Sequence, residues 1–105
     1  MALEPEPSMT TPLTLIATLT ARPGQAQAVE AGLRQLVPPS QAEAGCLQYN
    51  LHRHQQQPNR FIMVEQWQDA AALSAHQQTV HFLHFGETCG SLLEQVDHQL
   101  MHRIL

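Results

Sequence analysis

Between Leu13 and Ala21 the chain reads LTLIATLTA, with leucine and threonine alternating among small and β-branched residues, which predicts a strand. Arg22-Pro23-Gly24 breaks it. From Gln25 to Val37 the apolar residues fall at Ala26, Val29, Leu33, Leu36 and Val37, the spacing of one helical face. Gly32 weakens that helix by about 1 kcal/mol relative to alanine, and Pro38 and Pro39 are expected to stop it. After a loop ending at Gly45, residues Cys46 to His54 alternate, with Leu47, Tyr49 and Leu51 on one face and Gln48, Asn50, His52 and His54 on the other. Gln55 to Asn59 reads as a turn. Arg60 to Gln68 reads as a third strand, with Phe61, Met63, Glu65 and Trp67 on one face and Ile62, Val64 and Gln66 on the other. The two strands and their short polar connection make an antiparallel hairpin.

Asp69 is a suitable N-cap for a short helix from Ala70 to Gln77. A second helical stretch runs from about Val80 to Leu93 and carries Phe82, Phe85, Leu92 and Leu93. Val96, His98, Leu100, His102 and Ile104 then recur at period two, a fourth strand. The order β-α-β-β-α-β is the split βαβ arrangement of an α+β domain. The third strand is apolar on both faces, and the helices of this topology cover one face of the sheet. A second subunit is the economical cover for the other, so a homodimer is expected.

Length and charge narrow the picture further. At 105 residues there is room for one domain, placed at residues 13–105 after a polar, proline-bearing tail expected to be flexible over residues 1–12. The formal net charge is −4, and all five basic residues are arginines scattered along the chain. No basic stripe is available for phosphates, which argues against nucleic acid. No apolar run approaches the roughly 20 residues of a membrane span, and the first residues lack the pattern of a secretory signal. Cys46 and Cys89 form no Cys-x-x-Cys motif and read as two free thiols in a reducing cytoplasm.

An ordered set of residues resembles a known family. Glu43, Gly45, Cys46 and Tyr49, then Glu65, Trp67, Leu73 and His76, then Thr79, His81 and Phe82 stand as in the antibiotic biosynthesis monooxygenases, and the Arg22–Gly24 turn fits as well. The resemblance spans roughly residues 13 to 105. It implies ferredoxin-like βαββαβ subunits paired as a dimeric α+β barrel. It also implies, for some members, oxidation of phenols, quinols or anthrones by molecular oxygen with neither flavin nor metal. Other members degrade haem, isomerise small phosphorylated ketones, or have no assigned activity, so fold transfers better than reaction.

Oxygen chemistry without a cofactor needs an electron-rich substrate, made by removing a phenol proton and holding the anion in a dry pocket. Three residues are candidates for catalysis. Trp67 offers an aromatic wall with an N–H donor, or is simply core. Glu65 serves as base if burial raises its pKa, or else pairs with an arginine or histidine. His76, three residues after Leu73, suits proton transfer near neutrality, or is a structural histidine. Tyr49, Met63, Phe61 and Phe82 are the expected substrate contacts. Seven histidines invite a metal reading, but the pairs His52/His54, His81/His84 and His98/His102 gain no third ligand at a recognised spacing, so neither metal nor other cofactor is expected. His81 is expected to cap or to pack beside Phe82 and Phe85, and Cys46 to be a small buried hydrophobe.

The leading reading is a cofactor-independent monooxygenase acting on a small phenolic, quinol or anthrone-like molecule. The alternative of a different class is a non-catalytic dimeric module that binds small hydrophobic molecules. Isomerisation and haem degradation rank lower, the latter because Ala17 and Thr18 stand where haem-degrading relatives carry an asparagine.

Overall fold

The strand periodicities are realised in one antiparallel sheet. The computed structural model describes residues 11–105, so the expected tail lies almost wholly outside the described residues. The elements are β1 (Leu13–Ala21), α1 (Ala26–Gln41), β2 (Cys46–Arg53), β3 (Arg60–Trp67), α2 (Ala70–His76), α3 (Val80–Cys89) and β4 (Leu93–Met101), with a 3₁₀ turn over Gly90–Leu92. The sheet order is β2-β3-β1-β4, every neighbouring pair antiparallel. This is the expected βαββαβ fold. Gly24, at φ 81°, takes the left-handed position of a Pro-Gly turn closed by Gln25 N–H to the Arg22 carbonyl at 2.9 Å. Among the described residues no helix is long and apolar enough to cross a membrane.

Helix α1 overrides its prolines. It continues through Pro38 and Pro39 to Gln41, although each proline removes a backbone N–H and disfavours a helical residue before it. The carbonyls that lose donors belong to Arg34 and Gln35, both on the exposed side. Meanwhile Leu33, Leu36 and fully buried Ser40 hold the last turns against the core. Gly32 also has its reason here, because a Cβ at that position would stand 2.5 Å from Cys89 Sγ. α1 and α3 therefore cross closely at a residue with no side chain.

Three further expectations are corrected. Leu47 does not share the face of Tyr49. It is the extra residue of a bulge between Cys46, opposite Trp67, and Gln48, opposite Gln66, and it is 59% exposed. Helix α3 ends at Cys89 rather than Leu93, because Leu93 pairs with Ala21 in the sheet and the Leu92 carbonyl accepts from Arg22 N–H at 2.9 Å. At the other end of β4, Met101 pairs with Thr14, so His102 and Ile104 lie beyond the strand.

The predicted alternation of β3 holds at every position. Phe61, Met63, Glu65 and Trp67 are buried under the helices, while Ile62, Val64 and Gln66 remain half-buried on the other face. Ile16 lies beside Val64 on that uncovered face.

Candidate active site

The helix-covered face of the sheet supplies the site. Strand register sets Tyr49 of β2 and Leu15 of β1 on either side of Glu65. Ala17, a small residue between Met63 and His98, leaves room above the sheet. A cavity of about 200 Å³ opens there. Its floor is Ala17, Leu19, Tyr49, Met63 and Glu65. Leu33 and Leu36 of α1 and Phe82, Phe85 and Gly86 of α3 close it, with His98 at the β4 side. The lining is apolar except for Glu65, Tyr49 and His98.

Glu65 is the chemically unusual group. It is 5% exposed, and burial raises its pKa from 4.5 to about 7. The Trp67 indole N–H, donated to Oε1 at 3.0 Å, works against that rise, and the negative charge of Glu43 adds to it. The phenol of Tyr49 is pushed above its ordinary value by burial first and by Glu65 second, so it stays a neutral hydroxyl. Ser40 is near enough to oppose that shift weakly, though its Oγ lies outside good hydrogen-bond geometry.

The candidates named from sequence separate into two groups. Glu65, Tyr49, Met63 and Phe82 line the cavity. Trp67, His76 and Phe61 do not. Trp67 is fully buried, and its N–H is committed to Glu65 rather than aimed into the cavity. His76 lies behind Trp67, with ring centroids 4.6 Å apart, and is bounded by Tyr49 and Phe82 at 5.2 and 5.1 Å. Burial lowers its pKa, the hydrogen bond and charge of Glu43 resist, and His81 adds slightly to the fall. Phe61 sits at the opposite end of β3, with the Arg53 guanidinium 5.6 Å over its ring.

Behind the aromatic layer, Glu43 Oε2 lies 2.7 Å from both His76 Nδ1 and His81 Nε2. His81 is thus engaged by a carboxylate from the loop after α1, a partner not expected of it, and its ring lies 6.0 Å from that of His76. Gly45 lets this loop approach α2, since a Cβ there would collide with Ala72. The Cys46 thiol is raised by burial first and then by Glu43, which suits an inert, half-buried side chain. Two of the remaining histidines have local roles. His54 Nδ1 accepts from Gln56 and Gln57 N–H, both at 3.1 Å, and so organises the hairpin turn. His102 Nδ1 donates to the Pro12 carbonyl at 3.1 Å.

Sequence reading missed His98 and Phe85 as cavity residues. His98 shares the inward phase of β4 with Val96 and Leu100, which was the available signal. Phe85 lies one helical turn from Phe82. Glu43 had no local signal, because its partners are 33 and 38 residues away.

Comparison with known proteins agrees with this architecture. The antibiotic biosynthesis monooxygenase family model matches residues 12–88. The crystal structure of PA3566 from Pseudomonas aeruginosa is similar at a TM-score of 0.88 and 53% identity, over 93% of this chain and 99% of that one. The Escherichia coli protein named "Probable quinol monooxygenase YgiN" is 36% identical over 93 residues, 78% of this chain and 89% of that protein. The Synechocystis protein sll1783 is 29% identical over 82 residues, 78% of this chain, and this chain spans 56% of its length. With a family match over most of its length and the fold to go with it, the chain belongs to the antibiotic biosynthesis monooxygenase family.

Proposed function

We propose that the protein is a cofactor-independent monooxygenase that oxidises a small quinol or phenol with molecular oxygen, with Glu65 as the general base. The observation that carries this reading is a carboxyl with a pKa of about 7 in the wall of an otherwise apolar cavity. Such a group is half ionised near neutrality, where a base is most effective. Oε1 is held by Trp67, which leaves Oε2 to take the hydroxyl proton. Tyr49 offers the neutral O–H donor that steadies the resulting anion. The substrate is its own reductant: one oxygen atom ends on its carbon, and the other leaves as water with two of its hydrogens. Trp67 and His76 act as positioning residues, reaching the substrate only through Glu65 and the cavity wall.

A cavity of about 200 Å³ is smaller than the roughly 300–1,000 Å³ of drug-sized pockets. That favours a one-ring or fused two-ring quinol over a larger anthrone or haem. Oxygen uptake with a panel of such quinols, chelator present, tests the reading. Saturable, enzyme-dependent uptake with an oxygenated product is expected. Ligand quenching of tryptophan fluorescence with no uptake on any quinol would establish a binding module instead.

The proposed assembly is a homodimer through the uncovered sheet face. Ile16, Ile62 and Val64 are half-buried there, and Arg60 Nε is enclosed with no partner among the described residues. Light scattering should give about twice the 11.7 kDa chain mass at micromolar concentration. A monomer throughout that range would refute this assembly. The two free thiols suit a reducing compartment such as the cytoplasm.

A further inference from the structure

We propose that Glu43, His76 and His81 form a binding site for one divalent transition-metal ion of the zinc type, set behind the cavity rather than in it. The ligands come from three elements: the loop after α1, the last residue of α2 and the first turn of α3. Their donor atoms all lie within 4.8 Å of one another, the one such trio among the described residues. Two imidazoles and a carboxylate are a donor set that zinc and its neighbours accept, with water filling the fourth position.

The spacing is close to what an ion needs. Ligands about 2.0–2.1 Å from a tetrahedral ion stand roughly 3.3 Å apart. The two N···O contacts are 2.7 Å, so each must open by roughly half an ångström, while the widest donor pair, within 4.8 Å, must close by up to about 1.5 Å. Glu43 and His81 can supply that movement and an entry path, since their side chains are 15% and 23% exposed.

His76 contributes the second observation. Its Nε2 is buried without a hydrogen-bond partner among the described residues, and the rings packed on the imidazole are Trp67, Phe82 and Tyr49. An N–H is tolerated against aromatic faces better than an unpartnered lone pair. Nδ1, which in the metal-free protein is hydrogen-bonded to Glu43 Oε2, has its lone pair free once the proton moves to Nε2. A cation between the two atoms takes the place of the proton they share. The bound ion would tie the α1–β2 loop to both short helices, and no cavity-lining residue is among its ligands.

The test uses chelator-stripped protein titrated with zinc chloride by calorimetry and with cobalt chloride by visible absorption. One equivalent per chain, at micromolar affinity or tighter, is expected, with the cobalt band of a four-coordinate site and a rise in the thermal midpoint. His81→Ala and Glu43→Gln should each weaken binding at least tenfold, ligand loss being no milder than loss of an outer-shell partner. His84→Ala, an exposed histidine on the same helix, should bind as wild type. Circular dichroism checks each fold. Should Glu43→Gln fail to fold, His81→Ala carries the comparison from a partly exposed position. Failure to bind one equivalent overturns the proposal. Undiminished affinity in His81→Ala also overturns it, by assigning the ion to other histidines.

Discussion

Glu65→Gln is expected to lower oxygen uptake on the best quinol by about 10²–10⁴-fold, the usual contribution of a general base, while making the protein more stable at pH 8. Both effects come from the same burial. In the folded chain the carboxyl ionises near pH 7, whereas its ordinary value is 4.5. The folded state therefore holds a proton that the unfolded state has released between those two values. Wild-type stability is fully present below about pH 4.5, falls as pH rises towards 7, and stays lower above it. The difference is on the order of 3 kcal/mol. Glutamine can still accept the indole N–H but carries no charge, so that slope should vanish in the variant. The rate moves the opposite way, because a base must be ionised, and wild-type turnover should climb through pH 7. Thermal midpoints and initial rates from pH 5 to 8.5, wild type minus variant, measure both. Unchanged turnover in Glu65→Gln would remove Glu65 as the base. Unchanged pH dependence of stability would mean that its burial does not perturb it.

Legibility from sequence followed the range of the interactions involved. β3 was readable residue by residue, since its period-two pattern records which side meets the helices. Asp69 was readable as an N-cap because its bond to Ala72 N–H, at 2.7 Å, spans three residues. The end of α1 was not readable. Pro38 and Pro39 are strong local stop signals, and only the burial of Leu36 and Ser40 against distant strands outweighs them. Nor was the Leu47 bulge, because a leucine in phase with Tyr49 looks inward until the pairing with β3 is known. The site divides along the same line. Which residues share the face of Glu65 follows from alternation. Where the Trp67 N–H points, and that Phe82 and Tyr49 stand between His76 and the cavity, depends on packing between elements. The Glu43 cluster is the extreme case, joining three segments through one carboxylate oxygen.

His76→Ala is the second large effect, and stability is where it should appear. The ring is 1% exposed and packed against Trp67, Phe82 and Tyr49, with Nδ1 bonded to Glu43. Truncating a large buried side chain to alanine costs about 2–5 kcal/mol, a large part of the 5–15 kcal/mol typical of a whole domain. At about 4–8 °C per kcal/mol for a domain near this size, the midpoint should fall by roughly 10 °C or more in chelated buffer. Glu43 also loses one of its two imidazoles, which loosens the junction of α2 and α3. The catalytic consequence is indirect. Trp67 loses the ring at its back and holds Glu65 less firmly, so turnover should drop moderately when assayed below the new midpoint. The rise in rate through pH 7 should survive, because it belongs to Glu65. A histidine acting as the base would give the reverse: a midpoint near wild type, turnover down by orders of magnitude, and no acid limb. Melting curves and pH–rate profiles on the same preparation decide between the two. A flat profile in a stable His76→Ala protein would transfer the proton to His76 and leave Glu65 as a buried partner of Trp67.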